Sequence, residues 1–251
     1  IPAEGPVVNV AFTMYENFGF HAKGCENIRL EGAYFYHTTG MAIGMSSCRN
    51  IYLNRVFLSP REGMLMTATA DGLHCMNCTG DIVITGCVFE ASHDDCMNIN
   101  GRYLTVKSSE GNTLTLTGLD VPVFPGDVLE VYSKEDLHMV GSFTVTAVDA
   151  KTGILAEDTA GAVTDCFAAN ITQSPTLTVR DCLMGNKRNR GMLIQVRNVT
   201  VENCTFRNIC HGPVQIFSVP SSFGEGIMPA HVSVRNCKFF RCGATDVNIF
   251  S

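Results

Sequence analysis

Tryptophan is absent from this 251-residue chain, and no apolar run approaches the length of a membrane span, so insertion into a bilayer is not expected. Charged residues make up only 17% of the sequence and sum to −6, leaving no electrostatic reason to expect a nucleic-acid partner. The opening residues Ile1 to Val10 lack the charged start and apolar centre of a signal peptide. Ile1 is not a start methionine, so a processed product or part of a longer protein is the expectation. Long amphipathic stretches are missing too. Zinc is not expected: the one C-x-x-C, Cys75/Cys78, has no second pair at finger spacing.

What is plentiful is glycine (23), cysteine (12), β-branched residues, Asn and Thr, a composition suited to strands and turns. These residues recur in a pattern. Six segments carry an apolar residue, another two positions on, a small residue five on and a bulky one seven on. They are Ile28-Leu30-Ala33-Phe35, Ile51-Leu53-Val56-Leu58, Ile82-Ile84-Cys87-Phe89, Leu177-Val179-Cys182-Met184, Val199-Val201-Cys204-Phe206 and Val232-Val234-Cys237-Phe239. A second apolar run follows each, centred on Ile43, Met66, Ile99, Ile194, Ile216 and Ile249.

Alternation at i and i+2 marks strands with one buried face, and Gly32, Gly86, Asp181, Asn203 and Asn236 supply turn residues before the small position. Steps of 22 to 23 residues, as from Ile28 to Ile51 and Leu177 to Val199, suit one coil of a right-handed parallel β-helix. Like residues then stack in columns. Cys87, Cys182, Cys204 and Cys237 share one such column and read as core filler, not disulfide partners. Asn77, Asn170, Asn198 and Asn203 head N-x-S/T sequons but read as turn residues. The second coil is ambiguous: Gly63–Met66 and Gly72–Cys75 both fit its closing strand, and an insertion explains the 31-residue step from Ile51 to Ile82.

Between about Tyr103 and Thr172 the repeat stops, and short alternating runs separated by turn signals predict a small antiparallel β-domain. The expected organisation is β-helix over 1–102, the inserted domain over 103–172, and further coils over 173–251. The insertion is expected either to wall a cleft or to serve structure alone. Solenoid ends need capping, and with no obvious polar cap after Phe250 a homo-oligomer is one expectation.

A solenoid presents functional residues on its outer face. Asp71 and Asp95 are 24 residues apart, close to one coil, which predicts them as neighbours with Asp94 beside them. Crowded carboxylates repel, so one is expected to keep its proton near neutrality, the division of labour a glycosidase needs. The offsets of Asp94 and Asp95, 12 and 13 after Ile82, return as Arg190 (13 after Leu177) and His211 (12 after Val199), with Asp246 near the same line. Arg190 and His211 are candidates for holding sugar hydroxyls, with His74, His93 and Asn98 beside the acidic motifs; Lys187 and Arg188 read as a solvated turn.

The T-A-D-G-L-H stretch from Thr69 to His74, the turn and strand Asp81 to Phe89, and D-D-C-M-N-I-N-G from Asp94 to Gly101 resemble glycoside hydrolase family 110. Asn17-Phe18-Gly19-Phe20, Cys25-Glu26-Asn27-Ile28 and a β-domain inserted after N-I-N-G-x-Y-L extend the likeness. That resemblance implies a bacterial α-galactosidase acting on terminal α-1,3-linked galactose, without metal or other cofactor and with inversion. It also implies Asp71, Asp94 and Asp95 as the acidic residues, a glycan substrate, and a secreted or periplasmic setting. Two alternatives stand beside it. One is a polygalacturonase-like hydrolase of family 28, with His211-Gly212 as its H-G motif and Lys187, Arg188 and Arg190 as a basic subsite. The other is a non-catalytic glycan-binding β-helix.

Overall fold

The computed structural model describes residues 15, 17–118, 121–149, 153–156, 163–243 and 247–249, with 153–156 and 247–249 as backbone alone; Ile1, Asp246 and Phe250 lie outside them. No helix among the described residues is long and apolar enough to cross a membrane.

Three parallel sheets of seven, six and six strands, counted among the described residues, run along a parallel β-helix. The repeat is its register. Ile28, Ile51, Ile82, Leu177, Val199 and Val232 pair in succession down the second sheet. Phe35, Leu58, Phe89, Met184, Phe206 and Phe239 do the same down the third. Both columns point into one apolar core, where Ile51, Ile82, Phe89 and Phe206 have no exposed surface. Stacking identical positions at the strand spacing of about 4.8 Å buries each side chain against its counterparts above and below.

The residue four after each repeat start is left-handed: Gly32, Arg55, Gly86, Asp181, Asn203 and Asn236 have φ between 52° and 60°. Turn residues were expected at five of these six, and Arg55 completes the set. Three sequon asparagines, Asn77, Asn198 and Asn203, are left-handed too, whereas Asn170 is buried in a strand. The column that follows holds the small residues. Each cysteine thiol there donates to the carbonyl two residues back, Cys87 to Thr85 at 3.4 Å, Cys182 to Arg180 at 3.0 Å and Cys204 to Glu202 at 3.3 Å. These cysteines are free.

In the first sheet the second coil closes with Leu73–Met76, not with Gly63–Met66. Cys75, not Met66, therefore stands in the column with Ile99, Ile194 and Ile216. In the first coil that place belongs to Met45, because Ile43 pairs with Leu73 one pleat earlier. The extra residues lie before the strand, so the coil keeps its register.

The excursion between coils is a closed barrel of strands Leu104–Glu110, Thr113–Thr117, Val128–Ser133, Met139–Asp149, Gly153–Ala156 and Cys166–Asn170, all pairing antiparallel. It has its own apolar core, including Leu104, Leu114, Leu129 and Val131. A third cluster, Tyr103, Tyr132, Phe167, Ala169 and Ile227, joins it to the helix.

Candidate active site

The outer edge of the first sheet brings the acidic motifs together. Successive backbone hydrogen bonds, Ala42 N to Asp71 O, Gly72 N to Asp95 O, Cys96 N to Arg190 O and Gly191 N to Gly212 O, stack Asp71, Asp95, Arg190 and Gly212. The D-G motif has a steric reason. A Cβ on Gly72 would stand 2.7 Å from the Cys96 carbonyl oxygen, too close for any side chain.

One carboxylate oxygen from each of Asp71, Asp94 and Asp95 lies within 4.8 Å of the others. Asp71 is almost wholly buried; its Oδ1 accepts the Asp95 backbone N–H at 2.9 Å, and its Oδ2 meets His74 Nδ1 at 2.7 Å. Asp95 faces Arg190, whose Nη1 donates to both its oxygens at 3.3 and 3.4 Å. Asp94 is less buried and accepts from the Tyr15 hydroxyl and the Asn189 amide. Burial and the charge of Asp71 push the Asp95 carboxyl up to about 7, despite Arg190. Burial pulls the His74 imidazole down, but the hydrogen bond and charge of Asp71, with Glu225 and Asp95, override it and leave it raised. Burial and the bond to Asp94 hold the Tyr15 phenol above its ordinary value. A hard cation seeks clustered carboxylate oxygens, but these already face Arg190, His74, Tyr15 and Asn189, which opposes a metal there.

A cavity of about 450 Å³ opens over the cluster. Asp71, His74, Asp94, Asp95, Asn98 and Arg190 line it. Met41, Leu193, Phe217, Val219, Phe223 and Glu225 complete its walls, with Tyr15 beside Asp94. His93 and His211 do not line it. His211 instead touches Gln215 through Nδ1 at 3.0 Å, and Gln215 Oε1 accepts from Arg190 Nε at 2.6 Å. His74 lines the cavity while both ring nitrogens are engaged, Nδ1 by Asp71 and Nε2 by the Asn100 amide at 3.1 Å.

Lys187 corrects the expected solvated turn: it is 5% exposed and donates to Ser92 Oγ at 2.6 Å and to the Asp94 carbonyl. Its ammonium underlies the Ser92–Asp95 turn, so Lys187, Arg188 and Arg190 do not form one basic patch. Asn189 and Gln215 were legible in the offsets, standing 12 after Leu177 and 16 after Val199, in the rows of Asp94 and Asn98. Glu225, Phe217 and Phe223 lie in a loop outside the repeat, where periodicity carries no signal.

No family model matches the chain. Three curated relatives carry the name alpha-1,3-galactosidase A. The protein from Akkermansia muciniphila is 25% identical over 247 residues, covering 92% of this chain and 41% of its own length. That from Bacteroides fragilis is 25% identical over 224 residues, covering 82% and 37%. That from Shewanella woodyi is 27% identical over 240 residues, covering 89% and 39%. The chain spans about two-fifths of the length of these relatives. Over most of its own length, then, this chain is related in sequence to alpha-1,3-galactosidases, as its T-A-D-G-L-H and D-D-C-M-N-I-N-G motifs led us to expect.

Proposed function

We propose that the chain is a glycoside hydrolase that removes terminal α-1,3-linked galactose with aspartate acid/base catalysis and inversion, and that it works outside the cytoplasm, secreted or periplasmic. One observation carries this reading: three aspartates crowd together in a cavity of about 450 Å³, and one of them, Asp95, has its carboxyl pushed up to about 7. Inverting cleavage requires one protonated and one ionised carboxyl flanking the bond: one protonates the leaving oxygen, the other activates water on the opposite face. The cluster titrates as a unit, so acid and base are roles shared among Asp71, Asp94 and Asp95.

The names of the relatives support galactose as the sugar. The charge of the cavity supports a neutral substrate: among the described lining residues an anionic uronate would meet Asp71, Asp94 and Glu225 against Arg190 and His74. Inverting enzymes usually hold acid and base about 6.5–9.5 Å apart and retaining ones about 5 Å apart. The nearest oxygens here lie within 4.8 Å, on the retaining side of that divide, so inversion rests on the resemblance of the motifs and the stereochemistry is the decisive readout.

The test is sugar release from a terminal α-1,3-galactosyl oligosaccharide, followed by NMR from the first turnover. β-Galactose appearing first, with kcat lowered about 10²- to 10⁴-fold in Asp95→Asn, supports the inverting galactosidase reading. α-Galactose appearing first overturns inversion and leaves a retaining hydrolase. No release from any galactoside overturns the activity.

A further inference from the structure

We propose that Glu225 is a substrate-binding residue, its carboxylate accepting hydroxyl hydrogen bonds from the terminal sugar at the loop wall of the cavity. The inference rests on the reading of the cavity as a sugar site and adds the residue that recognises the sugar.

The loop 217–228 leaves the first sheet after Ile216 and walls the cavity with Phe217, Val219, Phe223 and Glu225. It is strapped down along its length. Val219 N donates to Glu225 O at 3.0 Å, Tyr103 N to Gly224 O at 2.9 Å, Gly226 N to Gly101 O at 3.0 Å and Ile227 N to Gln195 O at 2.9 Å. Gly226, with φ 127°, brings the chain so close to Ser218 that a Cβ would lie 2.6 Å from its hydroxyl oxygen. Such fixing aims a side chain and holds it there, which is how a binding group gains affinity without ordering cost.

The Glu225 side chain itself is half-prepared. Gln195, with no exposed surface, donates from beneath through Nε2 to Glu225 Oε2 at 3.3 Å and reaches Asn98 Oδ1 at 3.5 Å. Among the described residues no ion pair reaches Glu225, which lines the cavity. Around it the wall is apolar, and Phe223 is 66% exposed, a large unburied ring next to a carboxylate. A sugar matches both features. Its hydroxyls donate to the carboxylate in charge-assisted bonds, and the C–H face of a pyranose lies on an aromatic ring. With the aspartates at the anomeric carbon, a carboxylate on the loop wall is left to engage the other hydroxyls of the ring.

Galactose binding to the full chain, titrated by calorimetry, tests this in wild type, Glu225→Ala and Glu225→Gln, with Tm and circular dichroism confirming the fold. We expect affinity to fall at least about tenfold in Glu225→Ala and several-fold in Glu225→Gln, which keeps the shape and the Gln195 contact. Monodeoxygalactoses add a readout that a structural role would not move. One of them should bind wild type more weakly than galactose does, yet bind Glu225→Ala as well as galactose does. Equal galactose affinity in wild type and both variants, or deoxy penalties that all persist in Glu225→Ala, overturns the assignment alone. A wild-type chain that binds neither galactose nor another neutral hexose overturns the sugar-site reading, and this assignment with it.

Discussion

Asp95 is held between opposing influences: its side chain is 3% exposed and crowded by Asp71, yet Arg190 stands 3.3 Å away. Burial and repulsion win, and the folded-state value of about 7 lies well above the ordinary 3.8. The stability this contributes is fully present below about pH 4 and is lost as pH rises through about 7. His74, also raised, acts in the same direction above its ordinary value of 6.5. Denaturant titrations should therefore show the chain weakening between pH 4 and pH 8, with a flatter profile in Asp95→Asn; an unchanged profile would remove Asp95 as the cause. Lys187→Met, which leaves Ser92 Oγ and the Asp94 carbonyl without their buried donor, should lower stability by roughly 1–3 kcal/mol in the same assay. At this scale the sequence was partly readable. Coil offsets brought Asp71, Asp95 and Arg190 into one row, because parallel pairing preserves offset. The depth of Lys187 was hidden, since a lysine in a short basic run looks like a solvated one until the turn above it is known.

Along each coil, the most regular feature is a backbone angle. Six successive left-handed residues occupy the same step, and five are Gly, Asp or Asn, the types that tolerate it at least cost. Arg55, at φ 52°, is the exception. Arg55→Gly should raise stability by roughly 0.5–1 kcal/mol, and Asn203→Val should lower it by about 1–2 kcal/mol, both measured by urea unfolding. Such turns were legible because the strain selects the residue type. The closing strand of the second coil was not, since Gly63–Met66 and Gly72–Cys75 both fit the place. Only pairing with Met41–Ser46 and Met97–Asn100 decides for Leu73–Met76.

The molecule as a whole is two cores joined by a narrow polar and aromatic seam. Arg197 on the helix pairs with Glu130 on the barrel, donates through Nε to the Met228 carbonyl at 2.9 Å, and is 16% exposed. Glu130→Ala strands a largely buried guanidinium and should cost roughly 2–4 kcal/mol in a denaturant titration; a loss under 1 kcal/mol would mean that the seam is held by Tyr103, Tyr132 and Phe167 instead. The inserted barrel was visible from sequence as a break in the repeat, but its closure was not, because closure depends on pairing between Leu104–Glu110 and Cys166–Asn170. The same insertion sets an order of events during folding. Asp95 and Arg190 meet across 95 positions of chain, so the third and fourth coils dock only after the intervening segment has brought its two ends together. Closing so long a loop adds little to the equilibrium cost, which grows only with the logarithm of its length, but it delays the contact. Early coils can therefore condense on their own, while the arginine beside Asp95 arrives late, and a nascent chain carries its acidic cluster for a time without the cation that faces it.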